Sequence, residues 1–188
     1  MMIFDYEFNL NDINDNVSYY KDCLLGKARY YLQPYLYNHF SASKITDNIY
    51  LSDLASACNL FALKEIGITH VICVVLAIDP IFPMEFEYLN IQARDIAEEN
   101  LYQYFDECYD FIEDAISKNG KVLIHCAYGK SRSASIVIAY LIKKLGITYD
   151  QAYQMVYEQR PIIDPNPGFV EQLVQYYENN CNISKNIQ

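Results

Sequence analysis

The chain has 188 residues, 52% of them hydrophobic and 20% charged, with a net charge of −10. That length and balance suit one globular domain with an ordinary core and exclude a disordered chain. The acidic excess argues against nucleic acid and anionic membranes as partners, since both select for basic surfaces.

No apolar run approaches the length of a membrane span, and the opening MMIFDYEF lacks a basic region followed by an apolar one. The chain is therefore expected inside the cell, in the cytoplasm, with the nucleus left open. Six cysteines, at 23, 58, 73, 108, 126 and 181, form no CxxC pair and no zinc pattern, so thiols are expected.

Residues 1–44 are rich in Tyr, Asn and Asp and read as an N-terminal extension. The stretch 17–40 could supply a helix or two, interrupted by Gly26 and stopped near Pro34. It either packs its tyrosines on the domain or acts as an interaction arm, for example in a homodimer. The domain itself is expected over 45–180, with a short polar tail over 181–188.

From residue 45 strands and helices alternate. The strand 48-NIYLS-52 leads into a helix from about Asp53 to Glu65, with Gly67 beyond its end. Next, 69-THVICVV-75 is a continuous β-branched run of the kind buried on both faces of a sheet. After Pro80 and Pro83, 87-EYLNIQ-92 reads as another short strand. Residues 101–118 place apolar side chains at helical spacing.

The strand 121-KVLIHC-126 is followed by a helix over about 132–145 that is apolar nearly all round and so belongs in the middle of the domain. Thr148 and Gln151 form a capping box for a helix to about Gln159. Asn166-Pro167 opens a last helix to about Asn179. The pattern predicts an α/β fold, a mostly parallel central sheet with helices on both faces.

In such a sheet ligands bind outside the carboxyl ends of the strands, where residues 126–132 lie between a strand end and a helix start. Successive backbone N–H groups of Ala127, Tyr128, Gly129, Lys130 and Ser131 make an anion-binding concavity, reinforced by the helix dipole. Arg132 can hold two oxygens of a tetrahedral anion. The pattern suits a phosphate. In that field the Cys126 thiol ionises more readily, and the thiolate is a nucleophile for a bound phosphoryl group. Ser133 is placed to stabilise the sulfur as it leaves again. The leaving oxygen needs a proton; Asp95, in 92-QARDIAEEN-100, is the candidate acid, with Glu98 and Glu99 as local competitors.

A Cys-x5-Arg spacing arises by chance in about one such chain in eight; adding the preceding His125 and the following Ser133 lowers this to about one in ten thousand. The segments 68-ITHVICV-74, 100-NLYQYF-105, 120-GKVLIHC-126, 125-HCAYGKSRSA-134, 136-IVIAYL-141 and 160-RPIIDPNPGF-169 resemble the Cys-x5-Arg protein tyrosine phosphatase superfamily, and within it the dual-specificity subgroup. The resemblance covers 45 to about 178.

It implies metal-free and cofactor-free hydrolysis of phosphate monoesters on phosphotyrosine and phosphoserine/threonine of protein substrates, through a cysteinyl phosphate. Cys126 would be the nucleophile, Arg132 the phosphate clamp and Asp95 the general acid. His125 would be a supporting residue and Asn166 a buttress of the loop. Departures are Ser52, where glycine is frequent, and Lys130, where an apolar or aromatic residue is usual. Relatives with the same loop act on phosphoinositides, RNA 5'-phosphates or glucan phosphates, and others have lost catalysis. The lipid-directed ones carry a second basic residue where this chain has Ala127, and catalytically dead ones commonly lack the cysteine or the acid. Cys73, on a neighbouring strand, reads as a core residue in preference to a redox partner of Cys126.

Overall fold

A computed structural model describes residues 40–185. The expected N-terminal extension, up to residue 39 and including nearly all of the predicted helical stretch 17–40, lies outside the described residues, as do the last three residues of the tail.

Five strands form one sheet: β1 (Ser43–Lys44), β2 (Ile49–Ser52), β3 (His70–Val74), β4 (Glu87–Ile91) and β5 (Val122–His125), in the order β1-β2-β5-β3-β4. The short edge strand β1 is antiparallel to β2, and the other pairings are parallel. Every residue of β2, β3 and β5 is buried, as their apolar runs predict, whereas the edge strand β4 is covered only in part.

Register decides where the chemistry can sit. His125, the last residue of β5, pairs with both Ser52 and Cys73, so the central strand ends level with β2 and one residue short of β3. Cys126 therefore emerges in the middle of the carboxyl edge, flanked by the chains leaving β2 and β3.

The two faces are covered unequally. Tyr50, Val71 and Leu123 form a row across one face and pack with Ala57, Leu63, Phe82 and Phe86. The opposite face carries the larger core, built on Ile49, Leu51, Ile72, Val74, Val122 and Ile124. It packs against α3 (Phe105–Ser117), α4 (Arg132–Leu145), α5 (Tyr149–Gln159) and α6 (Pro167–Lys185). The first eleven residues of α4 are all buried, which places this helix in the centre of the layer. Truncating its Ile138 to alanine would cost about 2–5 kcal/mol.

Three helix boundaries depart from the sequence reading. The single helix expected from Asp53 to Glu65 is two short ones, α1 (Leu54–Ala57) and α2 (Leu60–Glu65). Asn59 intervenes and accepts a hydrogen bond from the Ala62 N–H, as Asp53 does from Ser56, so a second N-cap restarts the helix. The helix expected from 101 becomes α-helical only at Phe105, after a 3-10 turn at Tyr102–Tyr104. The Leu101 and Tyr102 N–H groups instead donate to the Gln172 side-chain oxygen, each at 2.8 Å. Finally, α6 runs past Asn179 to Lys185, into the stretch expected as a tail. The capping box of Thr148 and Gln151 is present as predicted.

Candidate active site

The loop 126–131 joins the central strand to the central helix. Gly129 adopts φ +65°, and its N–H donates to Cys126 Sγ at 3.2 Å. A side chain there would meet the Ser52 carbonyl oxygen at 2.5 Å, so the position requires glycine for both conformation and space. Ser133, in the first turn of α4, donates its hydroxyl to the same sulfur at 3.2 Å.

Cys126 is 1% exposed, and burial alone would push its thiol up. The Ser133 hydroxyl and N–H, the Arg132 charge and the Tyr128 N–H outweigh that and hold Cys126 below the ordinary thiol range. At Cys73 burial outweighs the Val75 N–H and the Arg132 charge and pushes the thiol up to about 12, and burial pushes Cys108 higher still. Cys73 is a core residue of β3, as expected.

Arg132 is buried against this loop. Its Nη1 donates to the Ala93 carbonyl at 3.1 Å, and its Nε, 3.6 Å from Asp95 Oδ2, makes no hydrogen bond. Asp95 is the carboxylate that reaches the loop. Its Oδ1 accepts from the Ser131 hydroxyl at 2.6 Å and from Asn166 Nδ2 at 2.9 Å. The competitor Glu99 turns to Arg94, whose guanidinium holds its carboxyl below the usual range, and Glu98 is exposed.

Asn166 joins its two expected roles. Its Oδ1 caps α6 at the Phe169 N–H, while its Nδ2 braces Asp95 and its backbone N–H donates to Ser131 Oγ. His125 is fully buried, and burial pushes it down to about 4, so the ring is neutral at physiological pH. The Cys126 backbone is the ring's polar neighbour, too poorly aligned to offset burial, and the ring packs beneath the loop. Around the mouth, Tyr128 and Lys130 are exposed, Ala127 is half-buried and Ser131 is buried.

Three contributors make contacts that the sequence reading did not anticipate. The Ser131 hydroxyl, expected only as part of the loop, bridges Asp95 and Asn166. Gly168 lets the chain approach so closely that a side chain there would lie 2.0 Å from the Ala97 oxygen. Gln172 binds the backbone at Glu99, Leu101 and Tyr102. Together the last two dock the Asp95 loop on α6.

The profile described as "Dual specificity phosphatase, catalytic domain" matches residues 49–179. Dual specificity protein phosphatase 1 of Arabidopsis thaliana is 45% identical over 131 residues, covering 70% of this chain and 66% of that protein. Dual specificity protein phosphatase 1B of the same plant is 44% identical over 134 residues, covering 71% of this chain and 80% of that protein. Among solved structures, human tyrosine phosphatase-like serine/threonine/tyrosine-interacting protein superposes with TM-score 0.70 at 38% identity, over 73% of this chain and 95% of that one. DUSP15 superposes with TM-score 0.70 at 29% identity, over 77% and 95%.

Proposed function

The chain belongs to the dual specificity phosphatase catalytic-domain family, and from that premise we propose that it removes phosphate from tyrosine and serine/threonine side chains of proteins through a cysteinyl phosphate. The observation that carries this reading is the sulfur of Cys126, held below the ordinary thiol range by Ser133 and Arg132, with the Asp95 carboxylate 3.6 Å from the same arginine.

The substrate phosphate binds over the loop N–H groups of Ala127 to Ser131 and the Arg132 guanidinium, whose buried Nε suits a phosphate oxygen as acceptor. Cys126 Sγ attacks phosphorus in line with the ester oxygen. The P–O ester bond breaks with its electron pair on oxygen, and Asp95 supplies the proton. With both Ser131 and Asn166 on Oδ1, Oδ2 is the oxygen suited to carry it. A water then attacks the cysteinyl phosphate, giving its proton to the Asp95 carboxylate. The S–P bond breaks, the Ser133 hydroxyl stabilises the departing thiolate, and inorganic phosphate leaves.

His125 supports the loop from below and Asn166 steadies the acid. Phosphoproteins are the partners. A cytoplasmic setting and a homodimer through residues 1–44 belong to the same reading; sedimentation of the full chain across concentration tests the latter. Among the described residues no helix is long and apolar enough to cross a membrane.

The deciding experiment is turnover of p-nitrophenyl phosphate and a phosphopeptide panel, beside inositol phospholipids, with Cys126→Ser as control. The expected result is hydrolysis of phosphopeptides by the parent and a loss of at least about a thousandfold in the variant. Equal rates for the two proteins, or preference for the lipid, would refute the proposal.

A further inference from the structure

An anion loop works only if its carbonyls face away from the anion, and a buried carbonyl turned outward needs a donor of its own. In this loop those donors are identifiable. Ala127 O accepts from the Leu54 N–H at 3.3 Å, Lys130 O from the Asp164 N–H at 2.9 Å, and Ser131 O from the Ser135 N–H at 2.8 Å and hydroxyl at 2.9 Å.

Gly129 is treated differently. Its carbonyl accepts from a charged side chain, Arg160 Nε, at 2.8 Å. Arg160 closes α5 and is 3% exposed. Its Nη1 is anchored to the Ser41 carbonyl at 2.8 Å and to the Ser41 and Ser43 hydroxyls at 3.3 Å. Its Nη2 is buried without a hydrogen-bond partner, and a Cβ on Gly129 would lie 2.7 Å from it. The guanidinium thus meets the loop edge-on at the residue with the left-handed backbone.

We propose that Arg160 is a positioning residue for phosphate binding: it holds the Gly129 carbonyl away from the pocket, so that the loop's N–H groups face a tetrahedral oxyanion. This rests on the phosphatase reading above, and it adds a second arginine, outside the Cys-x5-Arg segment, whose effect reaches the substrate through the backbone. Losing the guanidinium frees the peptide between Gly129 and Lys130 to rotate, and the pocket then exchanges an inward N–H for an inward carbonyl. Oxyanion affinity falls because the loop is no longer preorganised.

The test uses the full chain. Inorganic tungstate binding is measured by calorimetry in the Cys126→Ser background, and steady-state kinetics on p-nitrophenyl phosphate are measured with Cys126 intact. Arg160→Met should weaken tungstate binding and raise KM by about tenfold each, with a smaller change in kcat. Arg160→Lys, which loses the Nε donor and carries its ammonium one bond further out, should weaken both by about threefold. A purely structural role would lower Tm and leave tungstate affinity and KM at parental values, and that outcome overturns the proposal. Where Arg160→Met does not fold, Arg160→Lys decides: affinity equal to the parent refutes the role, and affinity weakened at an unchanged Tm supports it. A parent chain that neither binds tungstate nor hydrolyses the ester would defeat the phosphatase reading instead.

Discussion

The Cys126 loop and the Asp95 loop meet at Ser131 and Arg132 but differ in the origin of their contacts. The hydrogen bonds on Cys126 come from Gly129 and Ser133, three and seven residues away. Those that hold Asp95 and its loop come from Ser131, Asn166 and Gln172, 36 to 73 residues away. A nucleophile can be activated by a strand end, a turn and a helix start, all adjacent in sequence. A general acid must approach from a different element, so its placement depends on packing across the domain.

Substitutions can break the two halves separately. The largest effect is expected from Arg132→Met, which removes the clamp on the transferring phosphoryl group: kcat/KM should fall by about a thousandfold or more on every substrate. Asp95→Asn should divide substrates. Alkyl phosphates, which need the proton, should lose about 100- to 10,000-fold, and p-nitrophenyl phosphate far less. Uniform losses across leaving groups would remove Asp95 from its role.

Ser133→Ala should act on the local half alone. The Cys126 thiolate persists at pH values below the ordinary thiol range because donors outweigh burial, so removing the largest of them moves its titration upward. Iodoacetate alkylation followed against pH should show that rise, and release of the cysteinyl phosphate should slow by about tenfold. The smallest effect is expected from Gln172→Ala, which frees the backbone at 99–102: alkyl phosphate turnover should fall by about threefold to tenfold, with the Cys126 alkylation profile unchanged. A shifted profile in that variant would mean that the two halves are not separable.

The same division governs what was legible in the sequence. The helices α4 and α5 appear where periodicity, a capping box and Gly146 predict them, because those signals act within one or two turns. The interruption at Asn59 was missed because a side chain that can cap a helix can also sit inside one. The start of α3 is set by contacts both local, with Asn100 accepting from the Gln103 N–H, and distant, with Gln172 accepting from the N–H groups of residues 101 and 102.

At the site, Cys126, Arg132 and Ser133 could be assigned from one short segment. Asp95 could be named ahead of Glu98 and Glu99, but the bonds that bring its carboxylate to the loop could not, because they come from Ser131 and Asn166. Asn166 was readable as a cap, while its second bond, to Asp95, spans 71 residues.

By itself the sequence determined the alternation of strands and helices, the segment that holds the nucleophile and the clamp, and the chemistry those residue types support. Those features depend on backbone preference and on groups a few bonds apart. Only the tertiary structure decided which distant side chains bind the Asp95 carboxylate and which one the Gly129 carbonyl meets. Each of these is a contact between elements separated by tens of residues, and it forms only when the sheet and α6 have packed to within hydrogen-bonding distance of the loop.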